Sequence, residues 1–306
     1  ISLPERTWNY VNAEFEEVLH EYTRRTKSMF SEISKAANGV CVQATGGLDS
    51  RSVLAGILDQ GKKPLITYGV GNSGLTNTRD QDYKIAQEYA NQLDLDFYQM
   101  DWSGDYPIPT EQWSNLFEKY GFAYRMYGAT PKFFSEFCTG FPGGQELVMS
   151  GYGFGTFSNS FFWENKSITP ITFERMIADV FSHTTSIERS SLKCRGEYLE
   201  KLTADCKKAL SGLGVSADVD TELDHREFTR VLQLLNGRPQ STYVNVVNEF
   251  TYHLAPFATF ELGRAMIDVP RDYRRGERIR VKLVRNLCPE LLDIDIYSGQ
   301  EYMDLS

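Results

Sequence analysis

Apolar and polar positions follow two rhythms along this chain, and the change of rhythm predicts its architecture. Phe15, Val18, Leu19, Tyr22, Met29, Phe30 and Ile33 recur at steps of three, four and seven. Successive helical residues turn by about 100°, so these side chains share one face of a helix over 8–36. Asn38-Gly39 ends it. Val40 to Ala44 is an apolar run of strand length, Thr45 to Ser50 a tight loop, and Arg51 to Gln60 a helix stopped by Gly61. The alternation continues with a strand over 64–70, a helix over 80–93, a strand over 96–102, a helix over 111–120, a looser helical stretch over 131–137 and a short strand over 146–150. Strands separated by helices imply parallel pairing through right-handed crossovers. The expected fold class is therefore α/β, with a parallel sheet of about five strands flanked by helices.

Beyond about residue 165 the rhythm becomes helical, over 173–181, 194–210, 222–235, 242–253, 257–267 and 281–287. The expected organisation is a helix in 1–38, an α/β region in 39–165 and a mostly helical region in 166–306. No linker-like or low-complexity tract separates the parts, so a shared core is expected.

Composition removes several classes of function. With 306 residues, 41 % apolar, 24 % charged and 13 % aromatic, the chain is neither disordered nor fibrous. The longest uncharged stretch, Leu147 to Trp163, is interrupted by Ser, Asn and Gly, so no membrane span is expected. A net charge of −9 and a pI near 5.1 count against a nucleic-acid partner. The five cysteines are odd in number and lack CxxC spacing. That argues against structural zinc and disulfide scaffolds and fits a reducing, cytoplasmic setting. The four histidines form no HExxH. The chain opens on Ile1 with no signal peptide visible, so an upstream piece is expected.

The chemistry concentrates in Thr45-Gly46-Gly47-Leu48-Asp49-Ser50, between a strand and a helix. Two glycines let the chain turn sharply and let an anion approach backbone N–H groups at a helix N-terminus. The Thr45 and Ser50 hydroxyls add donors. Asp49 has the wrong sign to bind phosphate, but is sensible where a Mg²⁺ lies between it and the phosphates. The plainer alternative is a glycine turn whose aspartate caps the next helix. No GxxxxGK[ST] occurs, so this is not a Walker loop. Gly69-Val-Gly-Asn-Ser-Gly74 matches GxGxxG, but its helix starts near Asp80, and Asp101 lies far beyond the spacing of about 20 residues that a dinucleotide site uses.

The run Ala44-Thr-Gly-Gly-Leu-Asp-Ser-Arg51 resembles the SGGxDS pyrophosphate loop of ATP pyrophosphatases, and in its GGLDSR form the synthetase domain of the asparagine synthetase family. Further stretches are similar in the same order. They are Ile66 to Val70 followed by Asp82, Ala86 and Ala90; Val148-Met-Ser-Gly-Tyr-Gly153; Pro256-Phe257 with the helix to Pro270; and Arg278 to Leu292. The resemblance implies an adenine-nucleotide alpha hydrolase-like sheet and an ATP-dependent, Mg²⁺-using ligase. Such an enzyme activates a small-molecule carboxylate as an acyl-adenylate, releases pyrophosphate and transfers ammonia or an amine. It implies that Ala44, Thr45, Gly46, Gly47, Leu48, Asp49, Ser50, Val70, Ser150 and Gly151 hold the nucleotide, with Asp49 on the metal. A glutaminase domain or chain is implied as a nitrogen source.

The chain departs from that family at several points. Its third loop usually reads GDGGDE, whereas Gly151 to Thr156 supplies no carboxylate. Tyr152 reads as a loop aromatic packing on adenine or on the core; by resemblance to β-lactam synthetases it would act as a base, for which Glu188 is a weak partner. The K-x-x-x-R of the terminal helix becomes Val281 before Arg285, with Arg280 and Lys282 as the candidate cations for the adenylation step. The PFLD aspartate becomes Thr259. Arg274, Arg275, Arg278, Arg280, Lys282 and Arg285 form a basic run that is either a solvated face or a triphosphate clamp. These departures keep open a second expectation, a nucleotide-binding scaffold without turnover. A tRNA-modifying pyrophosphatase would want basic surface and paired cysteines.

Overall fold

The computed structural model describes residues 13–70, 78–101, 146–153, 200–201, 203–205, 207–208, 248, 251–270, 273 and 278–294. In chain order these form α1 (Phe15–Ala36), β1 (Val40–Gln43), α2 (Leu48–Leu58), β2 (Leu65–Val70), α3 (Thr78–Leu93), β3 (Phe97–Asp101), β4 (Leu147–Met149), β5 (Tyr252–Leu254), α4 (Phe260–Asp268) and α5 (Arg278–Leu287). The expected helices over 111–120, 131–137, 173–181 and 222–235 lie outside the described residues, as do Glu188, Arg274 and Arg275.

The strands form one five-stranded sheet in the order β3-β2-β1-β4-β5. All four pairings are parallel, with Val42 opposite Ile66 on one side and Met149 on the other. Central β1 is buried along Val40, Cys41 and Val42, as a strand covered on both faces must be. This is the parallel, helix-flanked α/β sheet that the strand–helix alternation predicts.

Two expectations change. The helix expected over 242–253 is not observed at its end: Tyr252–Leu254 is the fifth strand, pairing with β4. Three residues are too few to show strand periodicity, so the pairing rather than the local pattern decides. The helix expected from Arg51 already starts at Leu48, so Leu48, Asp49 and Ser50 form its first turn.

α1 packs on α2, α4 and α5. Its Phe30 ring lies 2.6 Å from where a Cβ on Gly56 would stand, so glycine sets the α1–α2 approach. Phe30 also meets Phe257, with ring centroids 6.1 Å apart. Pro256–Ala258 is a 3₁₀ turn leading into α4, whose N-cap is Thr259, with its hydroxyl accepting from the Leu262 N–H at 3.5 Å. Threonine is a good capping residue at such a helix start. Among the described residues, no helix is long and apolar enough to cross a membrane.

Candidate functional site

β1 is the point where the sheet changes direction. The chain builds β2 and β3 on one side of it and β4 on the other. In open α/β sheets the region outside the carboxyl ends of the strands at such a switch point is where ligands commonly bind. Residues 44–50 leave β1 at this point and residues 150–153 leave β4. Ala44, Val70 and Ser150, which the resemblance assigns to the nucleotide, therefore all stand at carboxyl strand ends. Gly69-Val70 belongs to β2, while residues 71–74 of the GxGxxG match lie outside the described residues.

The two loops touch. A Cβ on Gly151 would lie 2.4 Å from the Asp49 carbonyl carbon and 2.5 Å from the Ser50 nitrogen. Only glycine lets β4's exit lie on α2's first turn at that distance. Gly153, at φ +90°, occupies backbone space that other residues rarely adopt. Just before it, Ser150 is 4 % exposed, and its hydroxyl has no hydrogen-bond partner. A buried hydroxyl of this kind calls for a polar partner, a water or a ligand atom.

The glycine loop is tied by its own side chains. The Ser50 hydroxyl accepts from the Thr45 N–H at 3.0 Å and lies 3.0 Å from the Thr45 hydroxyl. The Thr45 hydroxyl accepts from the Gly47 N–H at 3.2 Å. The Gly46 N–H donates to the Asp82 carboxylate at 2.6 Å. A carboxylate already held by a loop amide shows that this backbone takes an anion. Burial raises the Asp82 pKa, against the lowering effect of that amide. Gly47 caps α2 without a side chain, so no cap competes for the orphan amides of the first turn, where the helix dipole is positive.

Two arginines flank the loop. Arg51 is wholly buried. It donates to the carbonyls of Leu291 and Ile294, both at 2.7 Å, and its guanidinium sits 5.2 Å from the Tyr89 ring centroid. The Tyr89 hydroxyl in turn donates to the Thr45 carbonyl. Arg280, from α5, donates to the Asp49 carboxylate; its side chain is 6 % exposed, and that of Asp49 36 %.

The basic run thus separates into different roles. Arg278 lies over the Phe15 ring at 4.0 Å, Val281 is in the core, and Arg285 is exposed. Arg280 and Lys282 are two positions apart, about 200° around the helix, so Lys282 faces away from the side that meets Asp49. Tyr152 is half-buried and stands beside His253 of β5, with ring centroids 6.5 Å apart. Burial lowers the His253 pKa to about 4, so the imidazole is neutral at pH 7.

A resident Mg²⁺ at Asp49 does not fit the donors described. The carboxylate is already engaged by the guanidinium of Arg280, so a cation there would have to displace a buried positive group. Sequence reasoning missed Arg51, Asp82 and His253 as parts of the site. Arg51 directly follows the loop and Asp82 lies in the next helix but one; the fold turns the Arg51 guanidinium back toward the Gly46 carbonyl and brings Asp82 to the Gly46 amide.

No family model and no curated protein matches the chain. Among solved structures, NMN synthetase from Francisella tularensis is similar at 13 % identity, over 76 % of this chain and 93 % of its own, with a TM-score of 0.30. The U34-tRNA thiolase NcsA from Methanococcus maripaludis is similar at 12 % identity, over 93 % of this chain and 83 % of its own, with a TM-score of 0.28. At these scores neither carries an argument about what this chain does. What the chain itself displays is a five-stranded parallel sheet whose switch point holds a glycine loop, a helix N-terminus and a buried arginine.

Proposed function

We propose that the chain is an ATP-dependent ligase that activates a carboxylate as an acyl-adenylate and transfers the acyl group to ammonia or an amine, in the manner of asparagine synthases. The observation that carries this is the contact of Gly151 with the first turn of α2 at the β1/β4 switch point. It brings the glycine loop, the exit of β4 and the Asp49–Arg280 pair into one crevice.

In this reading Thr45 to Ser50 hold the leaving pyrophosphate. Ala44, Val70, Ser150 and Gly151 line the nucleotide. A carboxylate oxygen attacks the α-phosphorus and the bond to pyrophosphate breaks. Negative charge then grows on the pyrophosphate, facing the α2 amides and Arg280, groups fixed before the reaction starts. The nitrogen nucleophile next attacks the acyl carbon and expels AMP. In the same reading Tyr152, beside the neutral His253, orients the acyl group. The nitrogen comes from ammonia, an amine, or a separate glutaminase domain or chain.

Carboxylate-dependent exchange of labelled pyrophosphate into ATP tests this. The expected result is exchange with one carboxylate class and none without it. A second reading, a nucleotide-binding scaffold, draws on one feature: Tyr152, Gly155 and Thr156 stand where the GDGGDE loop would carry acids. ATP binding with no exchange for any carboxylate would favour the scaffold.

A further inference from the structure

We infer that Arg280 takes the place of a divalent cation at Asp49, so that this loop binds pyrophosphate groups without Mg²⁺, with Asp49 acting as the positioning residue for Arg280. The inference rests on the reading above that the loop holds pyrophosphate.

An aspartate in the first turn of a phosphate-binding helix poses a charge problem. It stabilises the helix dipole but repels the ligand. A bound divalent cation is one solution. Here the position beside Asp49 that such a cation would take is filled from within the chain, by the guanidinium of Arg280. Several observations make this a built arrangement rather than a surface pair. The Arg280 side chain is 6 % exposed, so its direction is set by packing. Its neighbours Ile279 and Val281 are buried at 0 % and 3 %, which fixes the rotation of α5. α5 in turn packs along α2, the helix whose N-terminus forms the site.

Guanidinium geometry suits the task. It offers five N–H donors in a rigid plane, so one edge can hold a carboxylate while another meets phosphate oxygens. Asp49 is then the group that aims Arg280, and its own charge is neutralised before any ligand arrives. The unpartnered buried hydroxyl of Ser150 and the Gly46 amide, now on Asp82, are further donors at the same crevice. The sequence departures take on a common sense. A site with a built-in cation has no need of acids in the third loop, or of a lysine at the position that Val281 fills.

The test is calorimetric titration of the full chain with inorganic pyrophosphate, in EDTA and in Mg²⁺. The wild type should bind in EDTA, and Mg²⁺ should not be required. Arg280→Met should weaken binding in EDTA by roughly ten- to hundredfold, the scale of one charge-assisted hydrogen bond. Arg280→Lys should recover part of that loss. Asp49→Asn should weaken binding in EDTA several-fold, with no recovery on adding Mg²⁺. Thermal melting of the free variants separates lost binding from lost folding. Binding only in Mg²⁺ would overturn the inference and leave the proposed function standing. No binding in either condition would overturn both. Should Arg280→Met fail to fold, the wild-type comparison alone still decides.

Discussion

Arg51 and Arg280 stand on two sides of one glycine loop. The first lies in the floor between α2 and the segment after α5; the second lies at the rim, where α5 meets the first turn of α2. Arg51 is 0 % exposed and donates to backbone carbonyls, which cannot leave or change charge. Arg280 donates to a carboxylate whose own side chain is 36 % exposed, within reach of a solvent-borne anion. A guanidinium in the floor fixes the loop's position; the one that meets Asp49 is the one inferred above to meet the ligand. Burial alone does not distinguish the two, but the partner does.

The largest expected effect breaks the floor. Arg51→Met removes the donors to Leu291 and Ile294 and leaves two buried carbonyls unsatisfied, at about 1–3 kcal/mol each. Urea unfolding should show a loss of about 4 kcal/mol in all. Unfolding at wild-type stability would mean that the floor is not held there. Arg280→Met, by contrast, should show its main effect in pyrophosphate affinity.

The next effect probes the rim through pH. His253 lies behind Tyr152, and its pKa falls from 6.5 to about 4 because burial disfavours the imidazolium. The folded state therefore binds fewer protons than the unfolded chain across that interval. The contribution is fully present above pH 6.5 and is lost as pH falls through about 4. Its full size is about 3 kcal/mol. Denaturation midpoints measured from pH 7 to pH 4 should fall for the wild type and flatten for His253→Phe. An equal slope in both would place the acid sensitivity elsewhere.

A smaller change sharpens the contact between the loops. Gly151→Ala puts a methyl 2.4 Å from the Asp49 carbonyl carbon, which forces the exit of β4 off α2. A loss of about 2 kcal/mol is expected, the usual range for overpacking. Pyrophosphate affinity should fall with it, since Asp49 and Arg280 move as a pair. Stability lost without any change in affinity would separate Gly151 from the site.

Much of this was legible in the residues. The glycine loop could be read because its chemistry is local: glycines, hydroxyls and an aspartate lie within six consecutive positions between a strand and a helix. β1 to β4 could be read for the same reason, from short apolar runs between helical ones. β5 could not, because three residues carry no period and pairing with β4 defines them. Nor could the choice between Arg280 and Lys282. Both flank Val281, and which one meets Asp49 depends on the rotation of α5 against α2.

The sequence by itself determined the α/β alternation, the glycine loop with its hydroxyls and aspartate after the first strand, and the absence of acids from Gly151 to Thr156. Those follow from local backbone preference and from side-chain type, which act over a few residues. Only the tertiary structure decided that the Asp49 carboxylate faces a guanidinium, that Asp82 sits on the loop amide, and that Gly151 lies against Ser50. Those pairings join residues far apart in the chain. Helix packing and strand order, not local preference, bring them within bonding distance.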